Sequence, residues 1–283
     1  MSCLFNDNCS NSCYDNRNDC CCNNNNDSWI WIIIVIAVIL LLFSLLQPVL
    51  SELFLRQFDN ALEVFDRTSS IGAMREIECV AYSLIASQAY LVERKSGFLR
   101  LALQREGRRR YLSSCLVSTG IHAAFAVCIS VGLFILFLVW QGYPLYPTSA
   151  ETMGDLCVSG SQVLTSDSPW RIWLIIGGCL LISSIAWALS ALAVSACTDN
   201  LFVVVMSPML LSFFLHFIMS IVDQLNHNVF LNNGIDLYYL GRGITIITGP
   251  LSALCMTLLC YLPIILISGI VFWYAATRRM QYE

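Results

Sequence analysis

Charge is scarce in this chain. Only 12% of the residues are Asp, Glu, Lys or Arg, about half the fraction usual in a soluble domain, so little of the protein can face water. Lysine occurs once, at Lys95. A phosphate-binding loop needs a GxxxxGK[ST] run, whose glycines let backbone N–H groups approach phosphate while the lysine neutralises it. Lys95 is followed by Ser96 but preceded by Arg94, so the loop is missing. Any nucleotide hydrolysis the protein depends on must then come from a separate polypeptide. HExxH, the helical metal-ligand pair of metalloproteases, is missing too. So is the in-and-out alternation over about ten residues that a membrane β-barrel requires; the run WIIIVIAVILLLFSLL is apolar all round. No cleavable signal pattern, with a basic start and a short apolar core, opens the chain. Instead a mostly polar stretch of 28 residues precedes the first long apolar run, which is expected to stay in the mature protein.

What remains is hydrophobic. Apolar residues make up 57% of the 283, and several runs exceed the roughly 18 residues that separate a membrane span from a buried helix. The expected fold class is all-α: a polytopic membrane protein with six transmembrane helices, at about 29–50, 71–92, 112–140, 172–197, 201–222 and 250–276. Residues 29–283 would form that six-span domain and residues 1–28 a disordered tail. No cofactor and no nucleic-acid partner is expected.

The tail is rich in Asn, Asp and Cys and nearly devoid of large aliphatics, so it cannot bury enough surface to offset ordering entropy. Six of the fourteen cysteines lie there, at positions 3, 9, 13 and 20–22. The spacing lacks paired CxxC knuckles and the tail has no His, which leaves the zinc signal weak. A soft-metal or redox role remains the alternative to an unstructured tail. Seven further cysteines sit in or beside apolar runs, where Cys behaves as a small hydrophobe. Only Cys157 falls in an expected outside loop, without an obvious outside partner.

The spans differ in clarity. Trp29 to about Leu50 would reach roughly 33 Å at 1.5 Å per residue, with Trp29 and Trp31 suited to an interfacial belt. Residues 51–70 alternate Leu53, Leu55, Phe58, Leu62 and Phe65 with charges, the pattern of a helix lying at the interface. Ile71–Val92 is the ambiguous stretch, because Arg75, Glu76 and Glu78 sit near its start. A charge at mid-bilayer would cost about 2.5–3.5 kcal/mol on insertion scales; near a span end the cost falls, and Arg75 with Glu78 at i,i+3 can pair. If this stretch does not cross, only the first span flips and the tail lies outside. Loops 141–171 and 223–249 read as outside loops. The three-residue connection Thr198–Asp199–Asn200 implies adjacent antiparallel helices. Pro250 suits a first helical turn, and Pro263 is expected to kink the last span.

The only dense positive stretch is Glu93 to Tyr111, ERKSGFLRLALQREGRRRY, with seven of the fifteen basic residues. Lys and Arg near span ends stay cytoplasmic, so this segment, the 198–200 turn, Arg278 and Arg279, and both chain ends are placed inside, in a plasma membrane. Gly97 and Gly107 bracket nine residues, enough for a helix about 13 Å long. Arg100 and Gln104 share one face of it, and Phe98, Leu101 and Ala102 another.

Here the chain resembles the membrane subunits of ABC exporters of the second permease type (ABC-2). The matching run is ERKSGFLRLALQREGRRRYLSSCLV, similar to the family's glutamate, glycine, then aliphatic and basic residues leading into the third span. The resemblance covers roughly 29–279 and implies a short cytoplasmic coupling helix between the second and third spans. By that similarity Glu93, Gly97, Phe98, Leu99, Arg100, Leu103 and Arg108 would contact an ATP-binding-cassette ATPase subunit. It further implies a second permease copy, as homo- or heterodimer, and ATP-driven export of a peptide, lipid-like or drug-like substrate. The long tail and the 51–70 stretch depart from the family's plan.

Two other readings of the residues stand beside this one. In the first, the basic loop serves only as a topology determinant that attracts anionic membrane lipids, at about 1 kcal/mol per charge near the surface, in a non-transport sensor or scaffold. The polar groups inside or near spans, Arg75, Glu78, His122 and His216, are functional candidates by default. Glu78 with the two histidines is considered as a metalloprotease ligand set, but the commoner state of such a histidine is a hydrogen bond between helices. Gly177, Gly178, Ser183, Ser184, Ala186, Ser190 and Ala191 permit close packing, either within the chain or at a subunit or substrate surface.

Overall fold

The computed structural model describes residues 32, 35–42, 61, 64–65, 73–87, 90–91, 94, 107–145, 169–226 and 250–282. Among them there is helix and no strand. Five helices follow in order: α1 (Ala73–Ser87), α2 (Arg108–Trp140), α3 (Pro169–Cys197), α4 (Leu201–Asn226) and α5 (Pro250–Tyr282). Four stretches are long and apolar enough to cross a membrane: Arg108–Trp140, Trp173–Cys197, Leu201–Ile218 and Leu254–Gln281.

These four correspond to the last four expected spans, and three of them begin or end beyond the apolar residues. α2 starts at Arg108 rather than 112, α4 runs on to Asn226, and α5 continues through Pro263 to Tyr282. A 33-residue helix reaches about 50 Å, against a hydrocarbon core of about 30 Å. Arginine is a good helix former, so the helix extends through its basic first turn, beyond the length a bilayer core requires. The first two expected spans stand differently. Of 29–50, residues 32 and 35–42 are described, all helical. Within 71–92 the helix covers the 15 residues of α1, about 22 Å, and its apolar part is Ile77–Ala86. Residues 90–91 then take the wider turn of a π-helix.

α3 is the central helix. It packs against α1, α2, α4 and α5, most extensively against α5. From Ala186 to Ala193 every residue is buried. The stripe of small residues is what allows this: Ser183, Ser184, Ala186, Ser190 and Ala191 lie inside the chain's own bundle, where their size lets neighbouring backbones approach. Gly178 faces Leu254 of α5, while Gly177 faces open space. The serines need no interhelical partner. Ser183, Ser184, Ser190 and Ser195 each donate to the carbonyl three residues earlier, at 2.9, 2.9, 2.7 and 2.6 Å.

α2 shows the opposite pattern, a single buried stripe. Leu112, Cys115, Thr119, Ala123, Ala126, Ser130, Phe134 and Leu138 are buried at the three- and four-residue spacing of one helix face. Val117, Ile121, Phe125 and Leu136 are exposed on the other side, as apolar residues facing lipid would be. The helix closes with a Schellman arrangement: Gly142, at φ 88°, and Tyr143 donate their amides to Val139 and Leu138. Glycine suits that left-handed position because it has no Cβ.

Cross-links fix the direction of each helix. Near one end, the Ala61 amide donates to the Pro144 carbonyl at 2.9 Å, and the Trp173 indole donates to the Leu145 carbonyl at 3.3 Å. Phe65 packs edge-on to Trp173, with ring centroids 5.6 Å apart, and lies beside Phe134. Toward the other end, Tyr90 meets Phe272, and the 198–200 turn contacts Arg94 and Arg279. α2 therefore runs antiparallel to α3, whereas α5 runs parallel to it: Gly178 faces Leu254, Trp187 meets Tyr261 and the Cys197 carbonyl meets Arg279. The start of α2, the α3–α4 turn, the end of α5 and Arg94 lie at one end, called here the Asp199 end.

Candidate functional site

The most polar point among the described residues is the turn between α3 and α4. Its sequence, Thr198–Asp199–Asn200, makes a compact reversal. The Thr198 hydroxyl accepts the Asn200 amide at 3.2 Å, and the Asn200 side-chain oxygen accepts the Phe202 amide at 3.0 Å. Asn200 is thus the N-cap of α4, satisfying one of the amides a helix start leaves over. Asp199 is free of this capping work, and its side chain is 67% exposed.

Two arginines from distant parts of the chain converge on Asp199. Arg94 makes an ion pair with Asp199 Oδ1, its side chain only 5% exposed. The same guanidinium reaches the carbonyls of Ser195 and Thr198, at 3.4 and 3.5 Å, and stands 5.7 Å from the centre of the Tyr90 ring. Arg279, near the end of α5, lies 3.5 Å from Asp199 Oδ1 and donates to the Cys197 carbonyl. The carbonyls at the end of a helix lack intrahelical donors and carry the negative end of its dipole, so cations are favoured there. Both arginines therefore meet a carboxylate and a helix end together. With Asp199 well solvated, the pair itself contributes on the order of 1 kcal/mol or less. The carbonyls and the tyrosine ring supply what a nearly buried guanidinium would otherwise lack.

Further cations lie at the same end of the bundle. Arg109, Arg110 and Arg278 are exposed and Arg108 is half-buried. Gly107, at φ 77°, precedes α2; its left-handed backbone suits a glycine and marks where the basic segment turns into the helix. Asp199 is the one acid at this end among the described residues, and both its partners are arginines.

Of the residues expected to form a coupling site, Arg108 is described, in the first turn of α2. Glu93, Gly97, Phe98, Leu99, Arg100 and Leu103 lie outside the described residues. Arg75 is in the first turn of α1, its side chain outside the description, so the expected pair with Glu78 is outside it too. Glu78 is half-buried on α1. His122, half-buried on α2, places Nδ1 2.7 Å from the Ser118 carbonyl and 3.2 Å from its hydroxyl. Its hydrogen bond is thus made one turn back on its own helix, not between helices. His216 is exposed on α4. Glu78, His122 and His216 sit on three different helices. Sequence reasoning named neither Arg94, Asp199 nor Arg279 as a site. The available signal was a lone carboxylate in a three-residue turn between two spans, at an end rich in arginine.

No protein-family model matches the chain, and neither does any curated protein or solved structure.

Proposed function

We propose that this protein is the membrane subunit of an ATP-driven exporter of the ABC-2 type, working with a separate ATPase subunit. The supporting observation is the Asp199 end. There the first arginine of the basic segment, the α3–α4 turn and the end of α5 are drawn together, at the end of the bundle where α2 begins with three arginines. A motor subunit pressing on one polar face would reach α1, α3, α4 and α5 together through such a cluster. The apolar outer faces of α2, α4 and α5 suit a lipid surround or a second permease copy. In this reading the Asp199 end is cytoplasmic, the membrane is the plasma membrane, and the cargo is peptide, lipid-like or drug-like. The 93–110 segment contacts the ATPase through Glu93, Gly97, Phe98, Leu99, Arg100, Leu103 and Arg108.

The test is co-expression with an ABC ATPase encoded beside this chain, followed by co-purification and ATPase assay. Association with the wild-type chain, lost in Phe98→Asp or Arg100→Glu, is the expected result. Retention of assembly and of ATPase stimulation in both variants would rule out docking there. If no ATPase associates with the wild-type chain, the sensor or scaffold reading takes its place.

A further inference from the structure

We propose that Asp199 is a positioning residue. Its single carboxylate holds Arg94 and Arg279 together, so that the start of the basic segment, the α3–α4 turn and the end of α5 shift as one unit.

The asymmetry of the pair carries the argument. The carboxylate stands at the solvent edge, 67% exposed, while the Arg94 side chain beneath it is 5% exposed. The Arg94 partners given by the geometry are that carboxylate, two carbonyls of α3 and its following turn, and the Tyr90 ring. Carbonyl dipoles and a ring face attract a cation without cancelling its charge. Arg279 makes its second contact to the same Oδ1. Two cations thus share one acid, and neutralising it leaves two positive charges facing each other across the end of α3. Losing one partner of a largely buried ion pair is far costlier than the pair's own worth suggests, because the remaining charge is stranded. The turn does not need this carboxylate for its shape, since Thr198 and Asn200 make its hydrogen bonds. The acid is therefore available for clasping.

The consequence for coupling rests on the exporter reading; the clasp itself does not. If a motor subunit moves the basic segment, Asp199 passes that movement to α3, α4 and α5 at one point.

The experiment uses the full chain in lipid nanodiscs and an arginine-selective dicarbonyl, phenylglyoxal, with modification rates read by peptide mass spectrometry. Exposed Arg109 is the internal reference. In the wild-type chain Arg94 should react far more slowly than Arg109. Asp199→Asn keeps the turn propensity of the residue and removes only its charge. It should raise the Arg94 rate about tenfold and leave Arg109 unchanged, whereas Asp199→Glu should stay near the wild-type rate. A role confined to turn formation would leave the Asn variant silent. An unchanged Arg94 rate in Asp199→Asn overturns the clasp. Should that variant fail to fold, Asp199→Ser, which also suits a turn and removes the charge, should show the same selective rise; no rise there is equally decisive against it. In the assembled complex, Asp199→Asn should lower ATPase stimulation while assembly persists. Release of Arg94 with full stimulation would overturn the coupling role alone. If no ATPase binds the wild-type chain, the exporter reading fails, and the Arg94 rates still decide the clasp.

Discussion

The hydroxyl of Ser207 donates to the Val204 carbonyl at 3.0 Å, and the next residue is Pro208, the proline inside α4. In a regular helix the amide of residue 208 would serve that carbonyl, but proline has no N–H. Ser207 supplies the missing donor from its side chain, the means by which prolines are tolerated in membrane helices. Ser207→Ala should therefore lower stability by about 1 kcal/mol, read as a drop in melting temperature in detergent. Pro208→Ala restores a backbone donor, so the double variant should regain the loss. A double-mutant cycle showing independent effects would mean that the two residues do not share this carbonyl.

Gly178 sets how closely α3 and α5 approach. A Cβ there would stand 2.8 Å from Leu254 Cδ2, whereas one at Gly177 would meet nothing within 4 Å. Leu254 can swing its side-chain end away, so Gly178→Ala should lower stability only mildly, while Gly178→Leu should cost about 1–3 kcal/mol through overpacking. Gly177→Leu is the control and should be near neutral. Equal melting shifts at the two positions would contradict this packing.

His122 makes its hydrogen bond within its own turn of α2. His122→Leu should change stability by no more than about 0.6 kcal/mol, read as a melting shift in detergent. A metal ligand would behave differently, giving a melting temperature that responds to chelators in the wild-type chain and not in the variant.

The charge at the Asp199 end makes an orientation prediction. The described residues there are Arg94, Arg108, Arg109, Arg110, Arg278 and Arg279, against the single acid Asp199. A reporter fused after residue 283 should be cytoplasmic. Changing Arg108, Arg109 and Arg110 together to Glu should produce a mixed population, because basic residues near span ends hold the orientation. An outside reporter on the wild-type chain would invert the proposed topology.

Long apolar runs made α2 to α5 legible from sequence, because a span of about 20 apolar residues has few alternatives. Their ends were less so. Hydropathy stops at the bilayer surface, but a helix does not, and Arg108 to Arg110 simply continue α2 outward. α1 was harder, since the charges at 75, 76 and 78 blur where a short apolar helix begins. The small residues of α3 were visible as a stripe, yet periodicity alone could not say whether they faced another helix of this chain or a second subunit. The Arg94–Asp199–Arg279 cluster was the least legible, with only the lone carboxylate of the 198–200 turn to hint at it. It joins residues from three parts of the chain, and each alone reads as a routine charge at a span end.

The serines of α3 also bear on how the protein is made. Each of the four already spends its hydroxyl on its own helix, so α3 presents no unsatisfied serine hydroxyl that must wait for a partner. The ribosome delivers α3 before α4 and α5, the helices that will cover much of it. A helix with self-contained serines can enter lipid on its own and be wrapped afterwards, which frees membrane insertion from the order of assembly.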